Sequence, residues 1–107
     1  VTEDVELTVV TLTLDATDEP SAGKLLGVLA KYVVLARGHE GCRNIDLVAS
    51  ITHPGRYLLV QKWESPATQQ AHFDSPDMVE MAQSCRGLLA VPPTLDLWEG
   101  ISAHDLA

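Results

Sequence analysis

Asn44-Ile45-Asp46-Leu47-Val48-Ala49-Ser50-Ile51-Thr52-His53-Pro54-Gly55-Arg56-Tyr57-Leu58-Leu59-Val60-Gln61-Lys62-Trp63-Glu64 is the stretch that decides the fold. Apolar residues fall on alternate positions at Ile45, Leu47, Ala49 and Ile51, the period of a strand with one buried face. Thr52-His53-Pro54-Gly55 then supplies the Pro and Gly of a turn. Arg56 to Glu64 reads as the returning strand, with Tyr57, Leu59, Gln61 and Trp63 on one face and Leu58, Val60 and Lys62 on the other. The centre of the chain is therefore a β-hairpin.

Upstream of the hairpin, Pro20 suits the first turn of a helix, with Asp18 or Glu19 near its cap. Leu25, Leu29, Tyr32, Val33 and Ala36 make one helical face, and Gly38 and Gly41 end it. Residues 5–14 alternate strongly and are rich in β-branched types, with a change of phase at Val9-Val10. That change implies either a bulge or a strand with both faces partly buried. Downstream, Ser65-Pro66 and Ser75-Pro76 repeat a capping Ser followed by Pro, which predicts a broken helix over 66–73 and 76–88. Met78, Ala82 and Cys85 give its second part an inward stripe, Pro92-Pro93 stops it, and Thr94 to Ile101 reads as a last strand.

The order strand, helix, strand, strand, helix, strand is that of an α+β ferredoxin-like βαββαβ domain, an antiparallel sheet with its helices on one face. Residues 1–107 form one such domain, long enough for a core with little to spare. Yet the strands carry apolar residues on both faces: Val5, Leu7 and Val9 against Val10, Leu12 and Leu14, and Leu58 and Val60 against Leu59. A second copy packed sheet to sheet would cover the open face, so a homodimer through that face is expected.

Composition closes off several classes. Charged residues are 21% of the chain and hydrophobic ones 46%, which argues against disorder. The net charge of −8, with seven scattered basic residues, argues against nucleic acid. No apolar run approaches the ~20 residues of a membrane span, and Val1-Thr2-Glu3-Asp4 lacks the pattern of a secretory signal, so no membrane association and a cytoplasmic location are expected. The two cysteines, Cys42 and Cys85, read as free buried thiols. No His, Cys or carboxylate pair has ligand spacing, and no metal site is expected. No phosphate loop, dinucleotide fingerprint or nucleophile elbow is present.

Chemistry then rests on a few residues. His72 can serve as proton acceptor or donor because imidazole titrates near neutrality, or it can be a solvated helix-end residue. Trp63 can wall an aromatic ligand or simply fill the core. Tyr32 and Tyr57 read as core aromatics that could border a ligand, Asn44 and Asp46 as exposed or as pocket rim, and Arg86 as a group that could reach an anion. His39 and His53 are expected to be solvated.

The pattern Trp63-Glu64-Ser65, Ala71-His72 and Ser75-Pro76, with Gly41-Cys42 ahead and Pro92-Pro93 behind, resembles the antibiotic biosynthesis monooxygenase family, its quinol monooxygenase-like branch in particular. The resemblance runs from about residue 5 to residue 101. It implies a dimeric α+β barrel with a pocket between helices and sheet in each subunit. It also implies oxidoreductase chemistry with no cofactor, in which a quinol or polycyclic phenol reduces dioxygen itself. On that reading His72 and Trp63 are the catalytic pair, and Tyr32, Asn44, Tyr57, Leu59, Met78 and Arg86 border the small aromatic substrate. The haem-degrading relatives place a second Trp where His72 stands and an Asn on the first strand, and this chain matches neither. The polyketide-tailoring relatives carry an Asn and a Tyr where this chain has Leu59 and Gln69. Two other readings keep the fold: a non-catalytic small-molecule-binding dimer, and a cofactor-free isomerase of a small metabolite. Changing His72 to Ala is expected to abolish either enzymatic scheme and to leave the fold intact.

Overall fold

A computed structural model describes residues 7–101. Strand β1 spans Thr8–Asp15, helix α1 Glu19–Ala36, β2 Cys42–Ala49, β3 Arg56–Trp63, α2 Pro66–Phe73, α3 Pro76–Ser84 and β4 Thr94–Glu99. The strands form one antiparallel sheet in the order β2-β3-β1-β4. That is the α+β ferredoxin-like βαββαβ arrangement, with the second helix broken as the two Ser-Pro pairs require.

Each helix starts where its capping chemistry lies. The Asp18 carboxylate accepts from the Ser21 amide at 2.8 Å, which settles the cap of α1 on Asp18. Ser65 and Thr68 exchange side-chain and backbone hydrogen bonds in a capping box at α2, and Ser75 accepts from the Met78 amide at α3. Between α1 and β2, Gly41 sits at φ +79°, and a Cβ there would lie 2.5 Å from Thr68. The loop therefore closes against the cap of α2, and the Gly41 carbonyl accepts from the Glu64 amide at 2.7 Å.

β1 pairs with β3 without a register break from Thr8 to Asp15, so the phase change at Val9-Val10 is no bulge. Val10, Leu12 and Leu14 are buried under the helices, while Val9, Thr11 and Thr13 are half-buried on the other face. Val5 lies outside the described residues. α3 stops at Ser84, four residues short of the expected end, because Gly87 at φ +78° turns the chain back onto β1. There the Thr17 amide donates to the Leu88 carbonyl and the Ala90 amide to the Asp15 carbonyl, both at 2.8 Å. β4 likewise ends at Glu99 rather than Ile101.

The core lies between one sheet face and the helices. Leu25, Leu29 and Tyr32 of α1 meet Leu12, Ile45 and Leu59 of the sheet, and Met81 and Cys85 close the other side. Burial of each large aliphatic side chain contributes about 1.5–3 kcal/mol. On the open face, Val48 and Trp98 are exposed and Val9, Leu58 and Val60 half-buried. Trp98 is held on that face by its indole N–H, which donates to Thr11 Oγ1 at 2.8 Å.

Candidate functional site

Strand parity aims Gln61 and Trp63 of β3 at the helices, beside Leu59. From above, α1 brings Tyr32 down, and α2 brings His72 from its last turn. All four are buried, and His72, at 4% exposure, lies flat on the Trp63 indole with ring centroids 4.5 Å apart and planes 25° from parallel. The loop after α1 adds His39, and the first turn of α3 adds Asp77.

Hydrogen bonds join these six side chains end to end. Trp63 Nε1 donates to Gln61 Oε1 at 2.9 Å, and Gln61 Nε2 donates to Tyr32 Oη at 2.9 Å. Tyr32 Oη meets His72 Nε2 at 2.5 Å, His72 Nδ1 meets His39 Nδ1 at 2.9 Å, and His39 Nε2 meets Asp77 Oδ2 at 2.7 Å. For singly protonated imidazoles the ends fix the roles in between, since an indole nitrogen only donates and a carboxylate only accepts. His39 accordingly carries its proton on Nε2 and accepts on Nδ1, His72 carries its proton on Nδ1 and accepts on Nε2, and Tyr32 donates to His72. Every bond then points from the Trp63 end towards Asp77.

Burial holds this state. It pushes the His72 imidazolium down to about 4, aided by the neighbouring His39 and opposed by the Asp77 charge. It pushes the Tyr32 phenol up to about 12, against the hydrogen bond from Gln61. A neutral imidazole in the folded state has a consequence for stability. The unfolded chain takes up its His72 proton near the ordinary value of 6.5, the folded chain only near 4. Between those values the unfolded state binds more protons, so stability falls as pH drops through that window and is full above it. The expected loss is about 3 kcal/mol across the window. Urea midpoints measured from about pH 7 to about pH 4 check this; a midpoint that stays level until below about pH 4 would assign acid sensitivity to carboxylates instead, such as Asp15, which its hydrogen bond from Arg56 holds below the usual range.

A groove of about 270 Å³ opens beside this chain of bonds, between α3 and β1. Leu12, Leu14, Met78, Met81 and Leu89 make it apolar, and Arg86 stands at its rim. Met81 also lines a second, smaller cleft of about 50 Å³ between α1 and α3, together with Tyr32 and Asp77. Met81 thus borders both spaces.

The expected site residues divide accordingly. Trp63, His72 and Tyr32 come together, while Met78 and Arg86 line the groove. Trp63 does not wall a ligand: it is fully buried and its face is taken by His72. Leu59 is core beneath the helices, and Tyr57 spends its hydroxyl on the Ala22 carbonyl at 3.1 Å. Asn44 pairs with Lys62 on the open face of the sheet, away from the groove. His39, expected in solvent, is half-buried and bonded at both nitrogens. Gln61, Asp77 and Met81 carried no signal in the sequence beyond ordinary strand and helix positions. Among the described residues, no three His, Cys, Asp or Glu side chains are grouped to hold a metal ion, and no helix is long and apolar enough to cross a membrane.

The sequence profile of the family described as antibiotic biosynthesis monooxygenase matches residues 9–84. No curated protein matches the chain in sequence. Among solved structures, a Nitrosomonas europaea protein provisionally described as an antibiotic biosynthesis monooxygenase superposes with a TM-score of 0.85 at 12% identity, over 95% of this chain and 97% of its own. A Deinococcus radiodurans protein with the same provisional description gives 0.84 at 18% identity, over 94% of this chain and 98% of its own. A Mycobacterium tuberculosis protein gives 0.77 at 22% identity, over 86% of this chain and 92% of its own. At these identities the likeness to the three structures is one of fold.

Proposed function

This chain belongs to the antibiotic biosynthesis monooxygenase family, and on that premise we propose that it oxidises an electron-rich quinol or polycyclic phenol with dioxygen, with no cofactor. One observation carries the reading: a phenol hydroxyl, Tyr32, is held at 2.5 Å on a neutral buried imidazole, and Met81, which lines a cleft together with Tyr32, also lines the apolar groove. The groove lies just below the ~300–1,000 Å³ usual for ligand pockets, which suits a small fused-ring body.

A substrate hydroxyl that reaches Tyr32 Oη can pass its proton into the chain as Tyr32 passes its own to His72 Nε2. The resulting phenolate is electron-rich enough to reduce dioxygen. One oxygen atom then enters at a ring C–H as a carbonyl, the phenol becoming a quinone, and the other leaves as water with the ring and hydroxyl protons, so the substrate supplies all the electrons. Tyr32 is the catalytic residue in this scheme, and His72 acts through it. The apolar groove keeps water from the anion. Met81 is an unbranched, flexible side chain suited to move aside. The test is oxygen consumption by metal-stripped protein with a panel of quinols and hydroxylated naphthoquinones. Uptake with at least one is expected. No uptake with any, alongside a thermal shift from the same compounds, would favour a binding module instead; the burial of Tyr32, 2% exposed, is the observation on that side.

The same reading places a second copy of the chain on the open sheet face, over Val9, Leu58, Val60 and Trp98. Sedimentation at micromolar concentration is expected to return a dimer, and a monomer there would remove this part of the proposal.

A further inference from the structure

We propose that Asp77, acting through His39, sets the direction of proton movement out of the buried Tyr32–His72 pair and is the point at which those protons reach solvent. The inference rests on the reading of Tyr32 and His72 as the proton-accepting pair. It concerns two residues, His39 and Asp77, that lie outside the groove and act as positioning residues.

The geometry supports it in three ways. First, the path is unbroken, with steps of 2.5, 2.9 and 2.7 Å from Tyr32 to Asp77. Second, it grades from interior to surface: Tyr32 and His72 are buried, whereas the His39 and Asp77 side chains are 24% and 30% exposed. Third, the Tyr32 oxygen can accept from Gln61 and from His72 at once, so the Trp63 donor end leaves the two imidazoles free to turn either way, and they take their direction from Asp77, the obligate acceptor. A neutral His39 left to itself could carry its proton on either nitrogen. Opposite a carboxylate it must carry it on Nε2, and His72 must then carry its own on Nδ1, leaving Nε2 free for the Tyr32 proton.

One passage balances simply. The substrate proton goes to Tyr32 Oη, the Tyr32 proton to His72 Nε2, the His72 Nδ1 proton to His39 Nδ1, and the His39 Nε2 proton to Asp77 Oδ2 and on to water. One proton enters and one leaves, with no electron moved. Both rings end with their protons on the opposite nitrogens.

The experiment is ¹⁵N spectroscopy of the imidazole nitrogens in the whole protein at mildly alkaline pH, with no ligand. In the unmodified chain His72 is expected as the Nδ1–H tautomer, the rarer form in solution, and His39 as Nε2–H. Asp77→Lys replaces an obligate acceptor by an obligate donor, and both tautomers are expected to invert. Asp77→Glu keeps the acceptor and is expected to keep both tautomers, which also controls for disturbance of the fold. His72 found as Nε2–H in the unmodified chain, or unchanged in folded Asp77→Lys, would overturn the proposal. Oxygen uptake plays no part in this readout, so failure of the proposed activity and failure of this inference are separable.

Discussion

In Tyr32→Phe, oxygen uptake with any accepted quinol is expected to fall by about 10²–10⁴-fold, the usual worth of a positioned acid–base group. The substitution removes one oxygen atom and keeps the ring that packs among Leu25, Leu29 and Met81. It leaves Gln61 Nε2 and His72 Nε2 each short of a partner, at a cost of about 1–3 kcal/mol, so the fold should survive. Because the substrate body is held by the groove, the loss should appear in kcat far more than in KM. Retained activity would mean that the proton leaves by another route. His72→Ala is a poorer probe than the sequence suggests. His72 fills the space over Trp63 and is bonded at both nitrogens, so its removal opens a cavity and orphans Tyr32 and His39 together. The expectation of an intact fold is corrected on that ground.

Trp63→Ala is expected to cost about 3–5 kcal/mol, the range for emptying a fully buried aromatic site. The indole supports His72 by stacking and anchors the Gln61 amide by its N–H, so both would lose their place. Against a total stability of about 5–15 kcal/mol for a domain, that is a large fraction. The melting temperature should drop by about 15–25 °C, which calorimetry will read. Trp63→Phe, which keeps a ring on His72 and loses only the N–H, should cost about 1–2 kcal/mol. Equal losses in the two variants would mean that the stack contributes little.

The fold was legible where local chemistry decides it. Ser65-Pro66 and Ser75-Pro76 each cap and start a helix within four residues, and the hairpin around Pro54-Gly55 pairs in the register its alternation requires as far as Ala49, with Ile51 exposed beyond the strand end rather than on the buried face. Trp63 and His72 were legible as a pair worth watching, because a strand end and a helix end nine residues apart are held by one short connection. What they do together was not. His39 lies 33 residues from His72 and 38 from Asp77, and nothing in a loop histidine announces which distant groups will meet it. Met81 was hidden for a different reason: the stripe Met78, Ala82 and Cys85 fits helical spacing equally well, and only packing against Tyr32 singles out its neighbour. The early stop of α3 depends on Gly87 turning the chain onto β1, a contact between segments about seventy residues apart that local pattern does not encode.

The most direct measurement of the central claim is an anaerobic absorbance titration of a hydroxylated naphthoquinone or quinol into metal-stripped protein near neutral pH. Without oxygen the reaction halts after proton transfer, so the bound compound reports its own ionisation. The account predicts the phenolate spectrum on binding to the unmodified chain and the neutral phenol spectrum on binding to Tyr32→Phe. A bound phenol that keeps its neutral spectrum in the unmodified chain would contradict it.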